Sequence, residues 1–317
     1  MKKLISSLIV LSMTQAIAVE NRSTQEISQK NSKNKPSKEE VLDNPTLKTL
    51  SGSLNTYSLY SSFTYRGASV SEPFGAERPN IRNADEVPGL VDASGVVGIK
   101  WRLSKSDNLS LQMGLYSTTP FHSSIETKNS RNERDFDENA GRVDADDPVL
   151  SYFKTYYIGN FQNISFLKYQ HATRGIYRDF GLRNAFSFSQ ASAYRLNKAF
   201  YIAASMTYEN FQYDKTSTEI QGREFSLIPN QTDDTLRANL SAELYFKQNL
   251  SVRYIMDLAS IYRMRRQSEI EQRDLQQTLA MTYFYSRDIS IAPNIRFIWD
   301  DIRDDRTNIG LTLNMNI

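Results

Sequence analysis

Residues 236–246 read LRANLSAELYF, and this stretch decides the fold class. Every second residue from Leu236 to Phe246 is apolar, whereas the residues between them are Arg, Asn, Ser, Glu and Tyr. Successive side chains of a β-strand point to opposite faces of a sheet. The order therefore predicts a strand with one apolar and one polar face.

The same period of two recurs along most of the chain. It is clear at residues 57–65, 93–103, 109–116, 250–258, 289–299 and 308–317, and less regular at 149–158, 164–173, 184–194, 200–212 and 275–285. These segments predict about twelve strands, each near the ~10 residues that a tilted membrane-spanning strand needs.

The segments between the predicted strands alternate in length. Short turns at 104–108, 159–163, 196–198, 247–249 and 286–288 alternate with longer polar loops at 67–90, 120–147, 174–183, 214–234, 262–274 and 300–306. Short periplasmic turns and long extracellular loops are typical of outer-membrane barrels. We therefore predict an all-β fold, a transmembrane antiparallel up-and-down β-barrel over residues 50–317.

Composition excludes several other classes of protein. The 317 residues include no Cys, so there is no disulfide framework or thiolate metal site. Mean hydropathy is -0.53, and beyond the first twenty residues no run reaches the ~20 apolar residues of a membrane-spanning helix. The net charge of +2 gives little support for nucleic-acid binding, and we expect no nucleic-acid partner.

The first 49 residues are predicted to lie outside the barrel. Residues 1–18 have a basic start, an apolar centre and a small-x-small end, as in a signal peptide for export. Residues 19–49 are polar and predict a largely disordered periplasmic extension. Within it, Ser37 and Glu40 have the spacing to cap a short helix containing Val41, Leu42 and Leu47.

Charged residues of the strands fall on the polar parity, which predicts that they face the lumen. A mid-membrane Arg or Lys on the lipid face would cost ~2–4 kcal/mol. Whether these side chains line a narrow polar pore or form a cross-linked plug stays open. The predicted lumen-lining residues are Lys100, Arg102, Arg237, Glu243, Arg253, Asp257 and Arg296.

The final predicted strand carries a resemblance. Residues 308–317, NIGLTLNMNI, resemble the C-terminal targeting signal of Gram-negative outer-membrane barrel proteins, although those usually end in Phe and this sequence ends in Ile317. The resemblance implies location in the outer membrane of a Gram-negative bacterium. It implies outer-membrane lipid, lipopolysaccharide and the barrel-assembly machinery as partners, and leaves the oligomeric state open.

A second, local resemblance concerns residues 169–175, YQHATRG. They are similar to the active-site segment of outer-membrane phospholipase A, which has H-x-S-x-G at the end of its fifth strand and an Asn at the start of its sixth. The resemblance implies a histidine base at His171, a nucleophile at Thr173 and an orienting amide at Asn184. Thr here replaces the family's Ser. The alternative for His171 is an aromatic residue at the membrane interface.

Two further charged groups suggest binding. Arg263, Arg265 and Arg266 could contact lipopolysaccharide phosphates, since Arg recognises phosphate well. The carboxylates of residues 126–147 lack EF-hand spacing, so a solvated loop is favoured over a calcium site. We expect no metal site and no cofactor, apart from calcium if the hydrolase alternative holds.

The sequence therefore favours a non-enzymatic barrel, either a narrow solute channel or a structural surface protein. The first alternative is a calcium-dependent lipid-acyl hydrolase resembling outer-membrane phospholipase A. The second is an adhesin or loop-mediated binding protein, which the loop lengths alone suggest.

Overall fold

The structure is a computed structural model that describes residues 41–79, 89–122, 125–128, 134–137, 141–220, 223–266 and 269–317. The predicted signal peptide, residues 19–40 of the predicted extension, and the proposed helix cap at Ser37 and Glu40 lie outside the described residues. Among those described, no helix is long and apolar enough to cross a membrane.

The elements follow in chain order. They are α1 (Pro45–Ser51), β1 (Tyr57–Ser69), β2 (Glu77–Arg78), β3 (Gly89–Leu90), β4 (Asp92–Arg102), β5 (Asp107–Thr118), β6 (Ile125–Lys128), β7 (Arg134–Asp137), β8 (Val143–Ile158), β9 (Phe161–His171), α2 (Gly175–Asp179), β10 (Leu182–Arg195), β11 (Phe200–Tyr213), β12 (Ser217–Ile220), β13 (Arg223–Ser226), a 3₁₀ turn (Ile228–Asn230), β14 (Thr232–Lys247), β15 (Leu250–Met264), β16 (Ile270–Gln272), β17 (Gln277–Phe284), β18 (Ile289–Phe297) and β19 (Asn308–Met315).

Twelve of these strands close into one antiparallel barrel, in the order β1-β4-β5-β8-β9-β10-β11-β14-β15-β17-β18-β19. The ring closes where β1 pairs with β19, with Ser61 opposite Met315 and Tyr65 opposite Leu311. β16 adds a further short strand along β15, and β2–β3, β6–β7 and β12–β13 form separate hairpins. The predicted all-β, twelve-stranded, up-and-down barrel is confirmed.

Side chains alternate between the outside and the lumen. Leu111 of β5 is 63% exposed on the outside, whereas its neighbours Ser110 and Gln112 are 1% and 8% exposed and face inward. We call the end where the strands join through 103–106, 159–160, 196–199, 248–249 and 285–288 the short-turn end. The opposite end is the long-loop end.

The helix α1 lies inside the short-turn end of the barrel. Its first residue is Pro45, which is well suited to a first helical turn, and the Asn44 side chain caps it by accepting from the backbone N–H of Leu47 at 2.9 Å. The helix ends at Gly52, which has a φ of +71°. We call residues 41–54 the plug.

The plug includes residues 41–49, the last part of the predicted extension, and its helix contains Leu47, as the predicted short helix did. Residues 41–49 were expected to belong to a largely disordered segment, but Leu42 and Leu47 are buried within the barrel. In the structure the helix begins at Pro45, and its N-cap is Asn44. The physical reason is that the two leucines find apolar wall residues inside the lumen, which repays the entropy lost when the segment orders.

Candidate channel lumen

The plug is held first by an apolar contact. Leu42 and Leu47 form one buried cluster with Phe153 of β8, Ile164 of β9 and Ala193 of β10. These three wall residues face inward close to the short-turn end, so the plug packs against one side of the lumen. Burying a leucine side chain contributes roughly 1.5–3 kcal/mol.

The N-terminal end of α1 is bound by the side chain of Gln162 on β9. Its Oε1 accepts the backbone N–H groups of Asp43 and Asn44 at 2.7 and 2.8 Å. Gln162 is buried, and the free N–H groups ahead of a helix need partners when they leave water. The Gln162 amide therefore supplies the hydrogen-bond acceptor for the backbone N–H groups just before the plug helix.

A buried carboxylate binds the first turn of the helix. Thr46 donates to Oε1 and Oε2 of Glu243 at 2.8 and 3.0 Å, and Ser251 donates to Oε1 at 2.8 Å. Glu243 is buried, and Arg253 lies directly opposite it in the β14–β15 register. Hydrogen bonds to a charged group are stronger than neutral ones, so this contact is a principal attachment of the plug.

The C-terminal end of the plug is held by cations and an amide. Lys100, which is 0% exposed, donates to the carbonyls of Ser51 and Ser53. Asn316 Nδ2 donates to the Thr49 carbonyl at 2.9 Å, Arg287 to Gly52 at 2.5 Å and Arg102 to Leu54 at 2.9 Å. The carbonyls that a helix leaves unpaired at its end are thus bound by the barrel wall.

Beyond the plug lies a cavity of about 890 Å³. Leu50 of the plug lines it together with inward side chains of most barrel strands. Arg237 pairs with Glu209 across β14 and β11 within this cavity. Asp257 accepts from the backbone N–H of Gln276 at 3.3 Å. The lumen is therefore filled by the plug at the short-turn end and hollow between the plug and the long-loop end.

The predicted lumen residues divide between these two regions. Lys100, Arg102 and Glu243 bind the plug, and Arg253 lies beside Glu243. Arg237, Asp257 and Arg296 line the cavity. The sequence left open whether these side chains line a pore or cross-link into a plug; in the structure they share the lumen with a chain segment, residues 41–54, that fills one end, and with a cavity.

Sequence reasoning missed Gln162, Arg287 and Asn316, all of which bind the plug. Asn316 lies on the polar parity of the last strand, which was the only signal available for it. Arg287 lies in a short turn, and nothing in its sequence neighbourhood points to a contact with residue 52.

The hydrolase resemblance implies that His171, Thr173 and Asn184 lie together. In the structure His171 and Asn184 are in contact. His171 and Asn184 are opposite each other on β9 and β10, with His171 Nδ1 2.9 Å from Asn184 Oδ1. Tyr169 also donates to that oxygen at 2.8 Å. These side chains lie on the outside of the barrel.

Thr173 does not complete the group. Its hydroxyl lies 3.2 Å from Asp147 Oδ1, which also accepts the backbone N–H groups of Thr173 and Arg174 at 2.6 and 2.9 Å. In the part of the chain that the structure describes, no hydrogen bond joins Thr173 to His171. The reason is that the backbone leaves β9 after His171 and is anchored by the buried carboxylate of Asp147.

The predicted lipopolysaccharide arginines lie at the long-loop end. Arg263 pairs with Asp234, and Arg265 donates to Gln231 Oε1 at 3.3 Å. Arg266 is exposed. Two of the three guanidinium groups therefore already have partners within the chain. Among the described residues, no group of three acidic or histidine side chains comes together as a metal site.

The comparisons with known proteins agree with this geometry at the level of the fold. No family model and no curated protein matches the sequence. The structure is similar to an outer membrane channel from Pseudomonas putida F1, with a TM-score of 0.53 and 9% identity over 83% of this chain and 97% of that chain.

Two other similar structures have lower scores. The NanC porin has a TM-score of 0.42 and 7% identity over 81% of this chain and 97% of its own. Salmonella typhi OmpF in complex with daunomycin has a TM-score of 0.36 and 11% identity over 82% and 97%. The likeness to the P. putida channel shows that this chain shares its β-barrel fold.

Proposed function

We propose that the protein is an outer-membrane channel for small polar solutes, closed at its short-turn end by the plug. One observation carries the proposal, namely the polar cavity of about 890 Å³ that lies inside a closed barrel and stops at residues 41–54. A barrel that served only as a surface scaffold would have no need of a hollow lumen with charged side chains. Passage of a solute requires the plug to move.

The outer surface supports insertion in a membrane. Ile99, Leu111 and Leu167 are exposed on the outside of the barrel, and exposed aromatic rings such as Trp101 and Tyr285 lie near the short-turn end. An apolar band flanked by aromatic residues is what a membrane barrel presents to lipid. In our proposal the short-turn end faces the periplasm of a Gram-negative bacterium, and residues 1–18 are the export signal.

The partners in this proposal follow from the location. Arg266 is exposed at the long-loop end, where the phosphates of lipopolysaccharide would lie, and its charge would bind them. The barrel-assembly machinery would insert the chain.

Conductance of the refolded protein in a planar bilayer tests the channel. We expect the wild type to conduct weakly and Glu243→Gln to conduct more, because the amide weakens the attachment of Thr46. Thr312→Val, an inward change on β19 away from the plug, is the matched control and should behave as wild type. If wild type and Glu243→Gln are both silent although both are folded in the bilayer, the channel proposal is overturned.

A lipid-acyl hydrolase is the second candidate, favoured by the contact between His171 and Asn184 on the outer face. For catalysis, Thr173 would have to leave Asp147 and approach His171, since a nucleophile must be within reach of its base. Hydrolysis of phospholipid vesicles with added calcium, wild type against His171→Ala, tests it. Absent activity, or activity unchanged by the substitution, removes this candidate.

A further inference from the structure

We propose that the cavity above the plug binds a neutral polyhydroxylated solute of the sugar type. This inference rests on the proposed channel function and names the class of solute that it would carry. The evidence is the chemistry of the two facing walls, the state of the cavity charges and the composition of the closed end.

Hydroxyl groups line two opposite sides of the cavity. Ser187 and Ser189 of β10 and Ser205 and Thr207 of β11 form one side, where Thr207 donates to Ser189 at 3.0 Å. β1 lies across the ring from these strands and contributes further hydroxyls. Each hydroxyl can both donate and accept a hydrogen bond, so such walls match a ligand whose groups also do both.

The side formed by β1 and β4 has the same character. Ser62, Thr64 and Ser94 line the cavity there, and Ser62 donates to Asn314 Oδ1 at 2.8 Å. Amide side chains add donors and acceptors around the ring; they are Gln112, Gln170, Asn239 and Gln276.

The four carboxylates that line the cavity, Asp146, Asp147, Glu209 and Asp257, already have partners, and Lys168 and Arg296 line it as well. Glu209 is bound by Arg237 and accepts from Thr235 at 3.1 Å. Asp147 accepts two backbone N–H groups and the amide of Gln170 at 2.8 Å. A solute with a cationic group would have to displace these contacts, whereas a neutral one would not. This arrangement disfavours a ligand with a cationic group.

The closed end of the cavity is apolar and partly aromatic. Phe153 and Phe166 lie with ring centroids 5.2 Å apart, and Leu50 of the plug completes this floor. A sugar has C–H faces that pack on such surfaces while its hydroxyls reach the walls. The volume of about 890 Å³ falls in the range of roughly 300–1,000 Å³ typical of small-molecule sites. Because Leu50 belongs to the plug, a solute at this depth contacts the segment that must move.

The test uses the full-length refolded protein with sucrose as the probe, in calorimetric titrations. We expect saturable binding of sucrose and no saturable binding of glycylglycine, a zwitterion that would compete with the paired charges. Phe166→Ala should weaken sucrose binding by roughly tenfold, as should the double variant Ser189→Ala, Ser205→Ala. Phe188→Ala, on the outer face of β10, is the matched control and should bind as wild type.

Three results would overturn the inference: no saturable sucrose binding, equally tight binding of glycylglycine, or equal loss in Phe188→Ala. Conductance separates this failure from failure of the channel. If Glu243→Gln conducts ions but the protein does not bind sucrose, the solute class is wrong and the channel stands. If sucrose binds but no plug variant conducts, the channel is wrong and the binding site stands.

Discussion

Thr46 of the plug helix donates its hydroxyl to both carboxylate oxygens of Glu243, at 2.8 and 3.0 Å, across 197 residues of sequence. The contact joins a segment that precedes the first strand to the wall of the barrel at β14. Glu243 is buried, so its charge depends on Thr46 and Ser251 for hydrogen bonds. A few polar contacts near the short-turn end therefore hold the plug in the lumen.

Removing the hydroxyl of Thr46 should unseat the plug more often. Thr46→Val loses a hydrogen bond to a charged group, which contributes about 1.5–3 kcal/mol, so the open fraction should rise by at least roughly tenfold. Single-channel recordings measure this fraction. A double-mutant cycle with Glu243→Gln should show strong coupling, and additive effects would contradict the contact.

A cysteine at position 47 should report the seating of the plug. The chain has no Cys, and Leu47 is 4% exposed, so Leu47→Cys should react slowly with a maleimide. In a Glu243→Gln background the reaction should be at least roughly tenfold faster, since the side chain is reached only when the plug leaves. Tyr285→Cys, at a position 75% exposed, is the control that should react equally in both backgrounds. Equal protection of Leu47→Cys in both would refute plug movement.

Gly52→Ala should loosen the C-terminal end of the plug. Gly52 has φ +71° and ψ -174°, a conformation that is essentially restricted to glycine and costs other residues about 1–3 kcal/mol. An added Cβ would also lie 3.2 Å from Lys100 Nζ. Gly175→Ala, where the added carbon meets nothing within 4 Å, is the control. Thermal unfolding in detergent should show a lower Tm for Gly52→Ala than for the wild type and for Gly175→Ala. An unchanged Tm together with an unchanged ion conductance in the planar bilayer would contradict this account.

A charged residue in the middle of the apolar band on the outside of the barrel should destabilise the protein. Leu111→Arg places a cation on the outer face of β5 and should destabilise the inserted barrel by about 2–4 kcal/mol. Leu103→Arg, at the first residue of the short turn that follows β4, should cost about 0–1 kcal/mol because the guanidinium reaches the interface. Urea unfolding from lipid vesicles measures both values. Equal costs at the two positions would mean that the barrel does not cross the bilayer at this level.

The barrel itself could be predicted because its signal is local and repeated. Alternation such as that of residues 236–246 fixes which side chains share a face, and paired strands follow one another along the chain. The same period of two holds at His171 and Asn184, which share the outer face of β9 and β10. The alternation does not extend to Thr173, because the backbone leaves the strand after His171 and hydrogen bonds to Asp147 determine its conformation.

The position of the plug inside the lumen could not be predicted because its signal is neither repeated nor local. Val41, Leu42, Leu47, Leu50 and Leu54 interrupt a polar segment, and that composition is typical of disorder. Its order depends on Gln162 and Glu243, more than one hundred residues away. A polar residue on the lumen parity has the same appearance in sequence whether it meets water or a helix.

The contact between Asn316 and Thr49 links the plug to the place where the barrel closes. Leu59 and Ile317 exchange backbone hydrogen bonds at 2.6 and 3.0 Å beside it, where β1 meets β19. A folding intermediate in which β19 has not yet joined β1 therefore lacks one support of the plug. Seating of the plug would be among the final events of assembly, so a barrel arrested before closure would be left leaky.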